Sequence, residues 1–382
     1  MRIALVVTGG LDRSGRERVI PALLAFVGAI ARRHEVHAFV LRHEIGPSRY
    51  ELVGATVHDL GRVDGIPGLG RWRQARRLVE AMGRVGRFDV VHTYWGIPAG
   101  VVGTAVARRL DLPSVATFDS GELVSLPDIG YGLQRRFRDR RAIAATLRRA
   151  SRVTVCTTYM ATLARTFGVD AAVVPLGVEP RYFSPSAPSA QPGPPWRLLH
   201  VASLNRVKDQ ATLLRALALV IAREPRVTLD IVGEDTLGGE IQRLAGALGV
   251  ESAVAFHGFT PTDAIGAFYA RAHLHVVSSR HEAAGVVTLE AACAGVPTIG
   301  TRVGYIADWD GERAVAVPIG DAEALANGIL ALLADPDRRA RLAAAARAWA
   351  LEHSAEWTAT AFDAIYRDAA ASHARRAAST SR

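Results

Sequence analysis

Two glutamates separated by seven residues lie on either side of the start of a predicted helix. Glu282 precedes the helix, which is expected from about Val286 to Gly295, and Glu290 lies within it. A helix N-terminus presents free N–H groups that suit a pyrophosphate, and Gly285 lets the backbone approach it closely. Carboxylates accept hydrogen bonds from sugar hydroxyls. The segment fits a nucleotide-sugar, with Glu282 near the transferred sugar and Glu290 near the ribose. Taken alone, the two glutamates would be a solvated loop residue and an ordinary first-turn helix charge.

A single lysine marks a second segment. Of the 46 basic residues only Lys208 is a lysine, and the others are arginines. It lies in the loop between a strand predicted over 196–202 and a helix predicted over 210–223. An ammonium at the carboxyl end of a strand would neutralise the charge of a diphosphate leaving group. The alternative is that one lysine survived by chance in an arginine-biased sequence.

A glycine-rich turn follows the first predicted strand. The residues from Thr8-Gly9-Gly10 to Gly15 separate a strand predicted over 3–7 from a helix predicted over 16–32. Their spacing differs from G-x-G-x-x-G, which argues against a dinucleotide site. Two interpretations are equally favoured: backbone N–H groups that hold an anion at the helix start, or a plain tight turn.

These segments must be positioned by strands that alternate with helices. Short apolar runs predict strands over 3–7, 35–41, 88–92, 114–118, 152–156, 171–174, 196–202, 227–232, 254–256 and 274–277. The alternation predicts an α/β fold with doubly wound parallel sheets. Five prolines between Ser184 and Pro195 predict a linker over 184–196. We expect two Rossmann-like domains, 1–183 and 197–353, that face each other across a cleft, with a C-terminal helix at about 355–372 joined to the first domain.

Composition limits the environment and the partners. Hydrophobic residues make up 49% of the 382 residues, and no apolar run approaches the length of a membrane span, so we expect a globular chain. Two distant cysteines match no disulfide or zinc spacing and suit a reducing, cytoplasmic compartment. The net charge of +9 divides into +11 over residues 1–183 and −2 over residues 184–382. The first half is therefore suited to an anionic partner.

From Arg197 to about Asp308 the sequence resembles the donor domain of the family 4 retaining glycosyltransferases, which have the GT-B fold. Lys208 matches the lysine of the family's G-R-L-x-x-x-K-G motif, a donor-phosphate contact. Glu282 and Glu290 match its paired glutamates, and Gly285 the glycine that follows the first. Further segments match typical family segments: Gly233-Glu234-Asp235, His257-Gly258-Phe259 and Ala294-Gly295-Val296-Pro297. In the first half Gly9-Gly10, His92 and Val174 to Val178 match less specifically.

The sequence departs from the family pattern at two positions. Ser203 stands where the family has an arginine beside the phosphate, and Arg206 or Arg280 could take its place. Asp119 lies at or next to the position of a family histidine. Its carboxylate could accept a proton from the acceptor hydroxyl or stabilise positive charge at the sugar, or it could cap the next turn.

The resemblance implies metal-independent glycosyl transfer from a nucleoside diphosphate-sugar with retention, and no cofactor apart from the donor. The implied catalytic residues are Asp119, Lys208 and Glu282, and those on the acceptor side are His92 and Asp119. The implied donor-binding residues are Gly9, Gly10, Ser203, Arg206, Lys208, Gly233, Phe259, Glu282, Ala284, Gly285, Val286, Val287 and Glu290. His92 could instead be a strand-end histidine with satisfied hydrogen bonds. Two alternatives remain: a sugar-nucleotide epimerase and a non-catalytic nucleotide-sugar-binding protein.

The acceptor is left open, whether glycan, lipid-linked or small molecule. Two runs of arginine and aromatic residues, Arg71 to Arg77 and Arg135 to Arg141, suit docking on an anionic membrane face. Solvated helix faces in an arginine-biased protein are the modestly preferred explanation. No nucleic-acid-binding module is recognised. The expected location is cytoplasmic, with a peripheral position on the inner face of the membrane as an option.

Overall fold

The structure, a computed structural model, describes residues 1–42, 44–62, 69–183 and 193–380. The chain divides into two compact units. The first unit comprises Met1–Gly177 and Ala355–Arg382, and the second comprises Val178–Ser354. The predicted linker over 184–196 lies mostly outside the described residues, and its last residue, Trp196, is the first of a strand.

The first unit contains an eight-stranded sheet. Its strands in chain order are β1 (Arg2–Val7), β2 (Glu35–Val40), β3 (Ser48–Leu52), β4 (Ala55–Asp59), β5 (Val90–Tyr94), β6 (Ser114–Phe118), β7 (Arg152–Val155) and β8 (Ala172–Val173). In space the order is β3-β4-β2-β1-β5-β6-β7-β8. Only the β3–β4 pair is antiparallel among the strand pairs of the described residues.

The helices of this unit are α1 (Pro21–Ala31), α2 (Leu69–Val85), α3 (Val101–Arg109), α4 (Phe137–Arg149), α5 (Thr158–Arg165) and, at the C-terminus, α13 (Ala355–Thr380). The last helix packs on α1, where the rings of Phe26 and Phe362 lie 5.1 Å apart. The Nε2 atom of His34, just after α1, lies 2.9 Å from a carboxylate oxygen of Asp363. The chain thus returns to its first unit after passing through the second.

The second unit contains a six-stranded sheet in which every pair is parallel within the described residues. The strands are β9 (Trp196–Val201), β10 (Val227–Val232), β11 (Val254–Phe256), β12 (Leu274–Val277), β13 (Thr298–Thr301) and β14 (Ala314–Val317), in the spatial order β11-β10-β9-β12-β13-β14. Its helices are α6 (Gln210–Ile221), α7 (Glu240–Ala247), α8 (Thr262–Arg271), α9 (Val286–Cys293), α10 (Gly304–Asp308), α11 (Ala322–Ala334) and α12 (Pro336–Glu352).

The central strands of both sheets are buried on both faces. All five residues of β5 and of β6 are buried, as are all four of β12 and of β13. Parallel strands with helices on both faces need apolar side chains in both directions, which explains the continuous apolar runs in the sequence. The predicted α/β class with two parallel sheets is confirmed. None of the helices in the described ranges combines the length and the hydropathy that a membrane-spanning segment requires.

One predicted helix begins later than expected. The prediction placed it over 16–32, but α1 begins at Pro21. The preceding residues form a loop in which the Asp12 carboxylate accepts from the Ser14 N–H at 2.9 Å and from the Arg18 guanidinium at 2.6 Å. Side-chain bonds of this kind compete with helical backbone bonds, and proline is well tolerated at a first helical position.

Candidate active site

The lysine and the first glutamate meet at the carboxyl edge of the second unit's sheet. Lys208 lies in the loop between β9 and α6, and Glu282 in the loop between β12 and α9. Lys208 Nζ lies 2.6 Å from Glu282 Oε1. Because β9 and β12 are neighbours in the sheet, the loops that follow them lie side by side. A main-chain hydrogen bond links the two loops: Arg280 N–H donates to the Val207 carbonyl at 2.7 Å.

Glu282 is held as a carboxylate. Burial by itself would raise the pKa of Glu282, but the Lys208 ammonium and hydrogen bonds from Lys208 and Ser279 outweigh burial and lower it. The Ser279 hydroxyl donates to Glu282 Oε1 at 2.6 Å. The pair places a positive and a negative group at one loop junction, where an incoming phosphate would compete with Glu282 for the ammonium.

Helix α9 begins directly after a glycine in the left-handed region. Gly285 has φ +75° and ψ +62°, values that glycine adopts without the strain of a side chain. Val286 and Val287 form the first turn of α9, and the Thr288 N–H donates to the Gly285 carbonyl at 2.8 Å. The carbonyl of Ala284 is fixed from outside, since it accepts from the Tyr305 N–H at 2.8 Å. The helix N-terminus therefore has a defined direction.

Glu290 lies on the buried face of α9 rather than on its exposed face. Its Oε2 atom accepts a hydrogen bond from the Tyr269 hydroxyl at 3.0 Å, and that hydroxyl also lies 3.2 Å from the Val287 carbonyl oxygen. Burial raises the pKa of Glu290 to about 7, although the bond from Tyr269 acts in the opposite direction. A buried carboxyl with a single neutral partner has remaining acceptor capacity for a hydroxyl group.

The loops after β9 and β10 also run side by side. A Cβ atom at Gly233 would overlap the carbonyl oxygen of Ala202 and would come within 2.8 Å of the Ser203 nitrogen. The Gly233 N–H donates to the Gly258 carbonyl at 2.9 Å. Phe259, the next residue, is 63% exposed. Gly233 is thus required for the close approach of the backbone at Ser203.

The two candidates for the missing phosphate arginine differ in their surroundings. The Arg206 guanidinium is bidentate on Glu240, at 2.8 and 3.3 Å, and both side chains are exposed. Arg280 lies in the loop that carries Glu282. Ser203 is half-buried, and its carbonyl accepts from the Gln210 side chain at 3.1 Å.

The first unit contains a cavity of about 700 Å³ next to its glycine turn. Gly9 and Gly10 line this cavity. Gly10 has φ +85°, and a Cβ atom there would come within 2.9 Å of the Ile20 side chain. Gly10 therefore cannot be replaced by a residue with a side chain without a shift of Ile20 at the cavity wall.

His92 does not reach a surface where it could contact a substrate. It is fully buried, with Nδ1 2.6 Å from the Tyr366 hydroxyl and Nε2 2.7 Å from the Thr117 hydroxyl. Burial lowers the pKa of His92 to about 3. The prediction of an acceptor-side contact at His92 is corrected here: its partner Tyr366 belongs to α13, which closes over this side of the sheet.

Asp119 follows β6 and is half-buried. Burial, the charge of Asp119 and a hydrogen bond to its carboxylate raise the pKa of the Cys156 thiol. The neighbouring Glu122 was not singled out in the sequence, although it is more deeply buried and lines the cavity. The only sign of Glu122 in the sequence is that it is a second acidic residue, three positions after Asp119.

Two family models together match most of the chain. Residues 186–349 match the family described as glycosyl transferases group 1, and residues 20–177 match the glycosyl transferase 4-like domain. The fold and the family matches thus define a retaining GT-B glycosyltransferase that uses a nucleotide-sugar donor. The chain belongs to the glycosyl transferases group 1 family. The epimerase and the non-catalytic binding protein are set aside.

Several curated relatives match most of the chain. A GDP-mannose-dependent alpha-(1-6)-phosphatidylinositol monomannoside mannosyltransferase of Mycolicibacterium smegmatis is 29% identical over 74% of this chain and 84% of its own length. A D-inositol 3-phosphate glycosyltransferase of Frankia alni is 30% identical over 74% of each chain. One of the same description from Thermobispora bispora is 28% identical over 86% of this chain and 79% of its own.

Solved structures share the fold at lower identity. Sucrose-phosphate synthase from Thermosynechococcus elongatus has a TM-score of 0.78 at 21% identity, covering 97% of this chain and 100% of that chain. Anabaena HepE, solved in complex with UDP and glucose, has a TM-score of 0.75 at 19% identity, covering 96% of this chain and 100% of that chain.

Proposed function

We propose that the second unit binds the nucleoside diphosphate-sugar through the loops after β9, β10 and β12. Lys208 contacts the diphosphate, Glu282 the transferred sugar and Glu290 the ribose of the nucleotide. The observation that carries the proposal is the 2.6 Å contact between Lys208 Nζ and Glu282 Oε1, because it brings the phosphate-binding and sugar-binding groups to one point. The relative named for GDP-mannose and the structure solved with UDP support a nucleotide-sugar as the donor.

The leaving group is stabilised without a metal in this proposal. Cleavage of the bond between the anomeric carbon and the diphosphate leaves negative charge on the phosphate oxygens. The Lys208 ammonium and the N-terminus of α9 are placed to stabilise that charge. Arg206 can assist only by leaving Glu240, so we assign it a secondary contact.

The acceptor lies on the first unit, next to the glycine turn and the loop after β6. Asp119 follows a buried strand there and carries the carboxylate proposed to act on the acceptor hydroxyl. These groups do not specify the acceptor: two of the three curated relatives are named for D-inositol 3-phosphate, and the third is named for phosphatidylinositol monomannoside.

The donor assignment is tested by thermal unfolding in the presence of GDP, UDP, ADP and their sugars. A ligand that binds only the folded protein raises the midpoint by mass action. We expect one nucleoside diphosphate to raise the midpoint of the wild type and to lose this effect in Lys208→Ala and Glu290→Ala. Arg215→Ala is the matched control, because Arg215 is exposed on α6. The ligand-dependent shift is compared within each variant, so a variant of lower stability stays informative.

If no nucleotide shifts the wild type, the donor site is wrongly placed. If a nucleotide raises the unfolding midpoint of the wild type and of both site variants equally, Lys208 and Glu290 do not bind it.

We also propose a peripheral contact of the first unit with an anionic membrane. Two exposed aromatic side chains, Trp72 at 61% and Phe137 at 68% exposure, lie on helices α2 and α4 among arginines. An ion pair links the two helices, since Arg71 donates to Asp139 at 3.0 Å. Sedimentation with phosphatidylglycerol vesicles should retain the wild type and lose the double variant Trp72→Ala/Phe137→Ala. Binding equal to that on phosphatidylcholine vesicles contradicts this contact.

A further inference from the structure

Trp95 has a backbone conformation that a tryptophan rarely adopts. It directly follows β5 with φ +70° and ψ +151°, and it lines the cavity of the first unit. Positive φ is unfavourable for a residue with a bulky side chain, so the surrounding structure must impose it. Backbone strain of this kind concentrates at ligand sites, and here it coincides with a cavity wall.

Two main-chain hydrogen bonds and one bond to a side chain impose this conformation. The Trp95 N–H donates to the Thr117 carbonyl at 3.0 Å, and the Trp95 carbonyl accepts from the Gly100 N–H at 2.8 Å. The next N–H, that of Gly96, donates to Glu122 Oε1 at 2.9 Å. A Cβ atom at Gly100 would come within 2.9 Å of the Trp95 oxygen, and one at Gly96 within 3.0 Å of the Glu122 side chain. Both glycines are therefore needed for the Trp95 turn.

Glu122 joins the loop after β5 to the loop after β6. It is only 2% exposed, and its second oxygen accepts from the Ser120 N–H at 2.7 Å. Its backbone carbonyl accepts from the Gln134 side chain at 2.6 Å. Burial raises the pKa of Glu122, while bonds from backbone N–H groups favour its charged form. Because one oxygen of this buried carboxylate accepts from each of the two loops, Glu122 fixes the distance between them.

The cavity has the size and the lining of a site for a small cyclic ligand. Its volume of about 700 Å³ lies in the range of small-molecule sites. Aromatic and glycine residues form much of its wall, and Tyr131 and Arg135 add polar groups. No carboxylate in the described ranges forms an ion pair with the Arg135 guanidinium. An indole ring in such a wall offers a flat apolar face, which matches the C–H face of a pyranose or cyclitol ring.

We propose that Trp95 is the platform on which the acceptor's ring stacks, and that Glu122 is the positioning residue that holds Trp95 in place. The proposal rests on the proposed function, which assigns the acceptor to the first unit. It adds the class of acceptor, a ring with one apolar face, and two residues outside the family segments described above. Glu122 acts through Trp95 and the Ser120 loop.

Saturation-transfer NMR tests the platform with two cyclic probes, methyl α-D-mannopyranoside and myo-inositol, and with glycerol as a polyol without a ring. Wild type should transfer saturation to the ring protons of at least one cyclic probe and much less to glycerol. Trp95→Ala should reduce that transfer at least about fivefold, and Trp95→Phe should keep part of it because a flat ring remains. Tyr182→Ala is the matched aromatic control and should match wild type, since Tyr182 is 41% exposed and lies outside the cavity.

Glu122→Gln tests the positioning role. A glutamine has one acceptor oxygen, so it cannot accept from both the Gly96 and Ser120 N–H groups in the way a carboxylate does. We expect the dissociation constant of the cyclic probe to rise about five- to tenfold and the near-ultraviolet circular dichroism of Trp95 to change. The nucleotide-induced shift in unfolding midpoint should stay as in wild type.

The outcomes separate the inference from the proposed function. A nucleotide shift in wild type together with unchanged probe binding in Trp95→Ala overturns the platform, and so does the absence of probe signals in wild type. Unchanged probe binding and an unchanged dichroism band in Glu122→Gln overturn the positioning role. The absence of a nucleotide shift in wild type counts against the donor site and leaves the comparison of Trp95 variants valid.

Discussion

The ammonium nitrogen of Lys208 lies 2.6 Å from a carboxylate oxygen of Glu282, across two loops that are 74 residues apart in sequence. Both residues lie in loops that follow neighbouring parallel strands, so the pair depends on the order of strands in the sheet. The phosphate contact proposed for Lys208 would account for the single lysine of the chain. A compact ammonium fits between a glutamate and an incoming phosphate, where a planar guanidinium would need a different geometry.

Replacement of this lysine should impair the chemical step. Lys208→Ala removes the positive group proposed to stabilise the departing diphosphate and leaves the half-buried Glu282 without its counter-ion. We expect kcat to fall by roughly 10²- to 10³-fold. Lys208→Arg should recover only part of this loss, because its donors are arranged in a fork. Steady-state release of the nucleoside diphosphate measures both variants, with Arg215→Ala as control. A kcat within about threefold of wild type for Lys208→Ala would rule out the assigned role.

The buried carboxyl of Glu290 should make stability depend on pH in a defined direction. Burial raises its pKa in the folded protein to about 7, above the ordinary value of 4.5. As pH rises through this interval the unfolded chain releases the proton first, so the free energy of unfolding falls. Glu290→Gln removes this loss. Without ligand, the variant should exceed wild type by about 1–3 kcal/mol near pH 8 and match it near pH 4.5. Thermal unfolding across this range checks the difference, and a variant less stable than wild type at pH 8 contradicts it.

Two glycines joined by a hydrogen bond should differ sharply in their tolerance of alanine. A Cβ atom at Gly233 would overlap the Ala202 carbonyl, whereas one at Gly258 meets no atom within 4 Å. Gly233→Ala should therefore lower the free energy of unfolding by about 3 kcal/mol or more. Gly258→Ala should lower it by about 1 kcal/mol, through its positive φ alone. Denaturant unfolding of both variants tests this order, and equal losses would show that the close approach at Ser203 does not matter.

His92 should matter for stability and not for acceptor recognition. Its two ring nitrogens bond the hydroxyls of Tyr366 and Thr117 in the core. His92→Ala leaves both hydroxyls without this partner, and we expect a loss of about 2–3 kcal/mol. The KM for acceptor should stay within about twofold, since no wall of the cavity changes. If the KM for acceptor rises strongly while the stability of the variant equals that of wild type, His92 contacts the acceptor after all.

The same histidine sets a second dependence on pH. Burial lowers its pKa to about 3, below the ordinary 6.5, so the folded protein keeps it neutral. Below about pH 6.5 the unfolded chain binds the proton and the folded protein does not. The free energy of unfolding therefore decreases as the pH is lowered. His92→Gln should therefore lose less stability than wild type between about pH 7 and pH 5. Equal losses in wild type and variant would mean that His92 titrates alike in both states.

Sequence patterns determined the two sheets and part of the candidate site. Continuous apolar runs that alternate with helices specify parallel strands, and the residues after them lie at the carboxyl edges by the geometry of the fold. Lys208, Glu282 and Gly285 were found in this way, because each is local to a strand end or a helix start. Their assigned roles remain proposals.

Only the tertiary structure decided which polar groups are exposed. His92 follows the same strand-end pattern as a binding residue, yet Tyr366, 274 residues later, closes over it. Glu122 is an ordinary acid in the sequence, and its burial depends on the Gly96 loop reaching across from another strand. Burial and partner choice arise from segments far apart in the chain, whose approach is set by packing of the whole unit, so no local pattern encodes them.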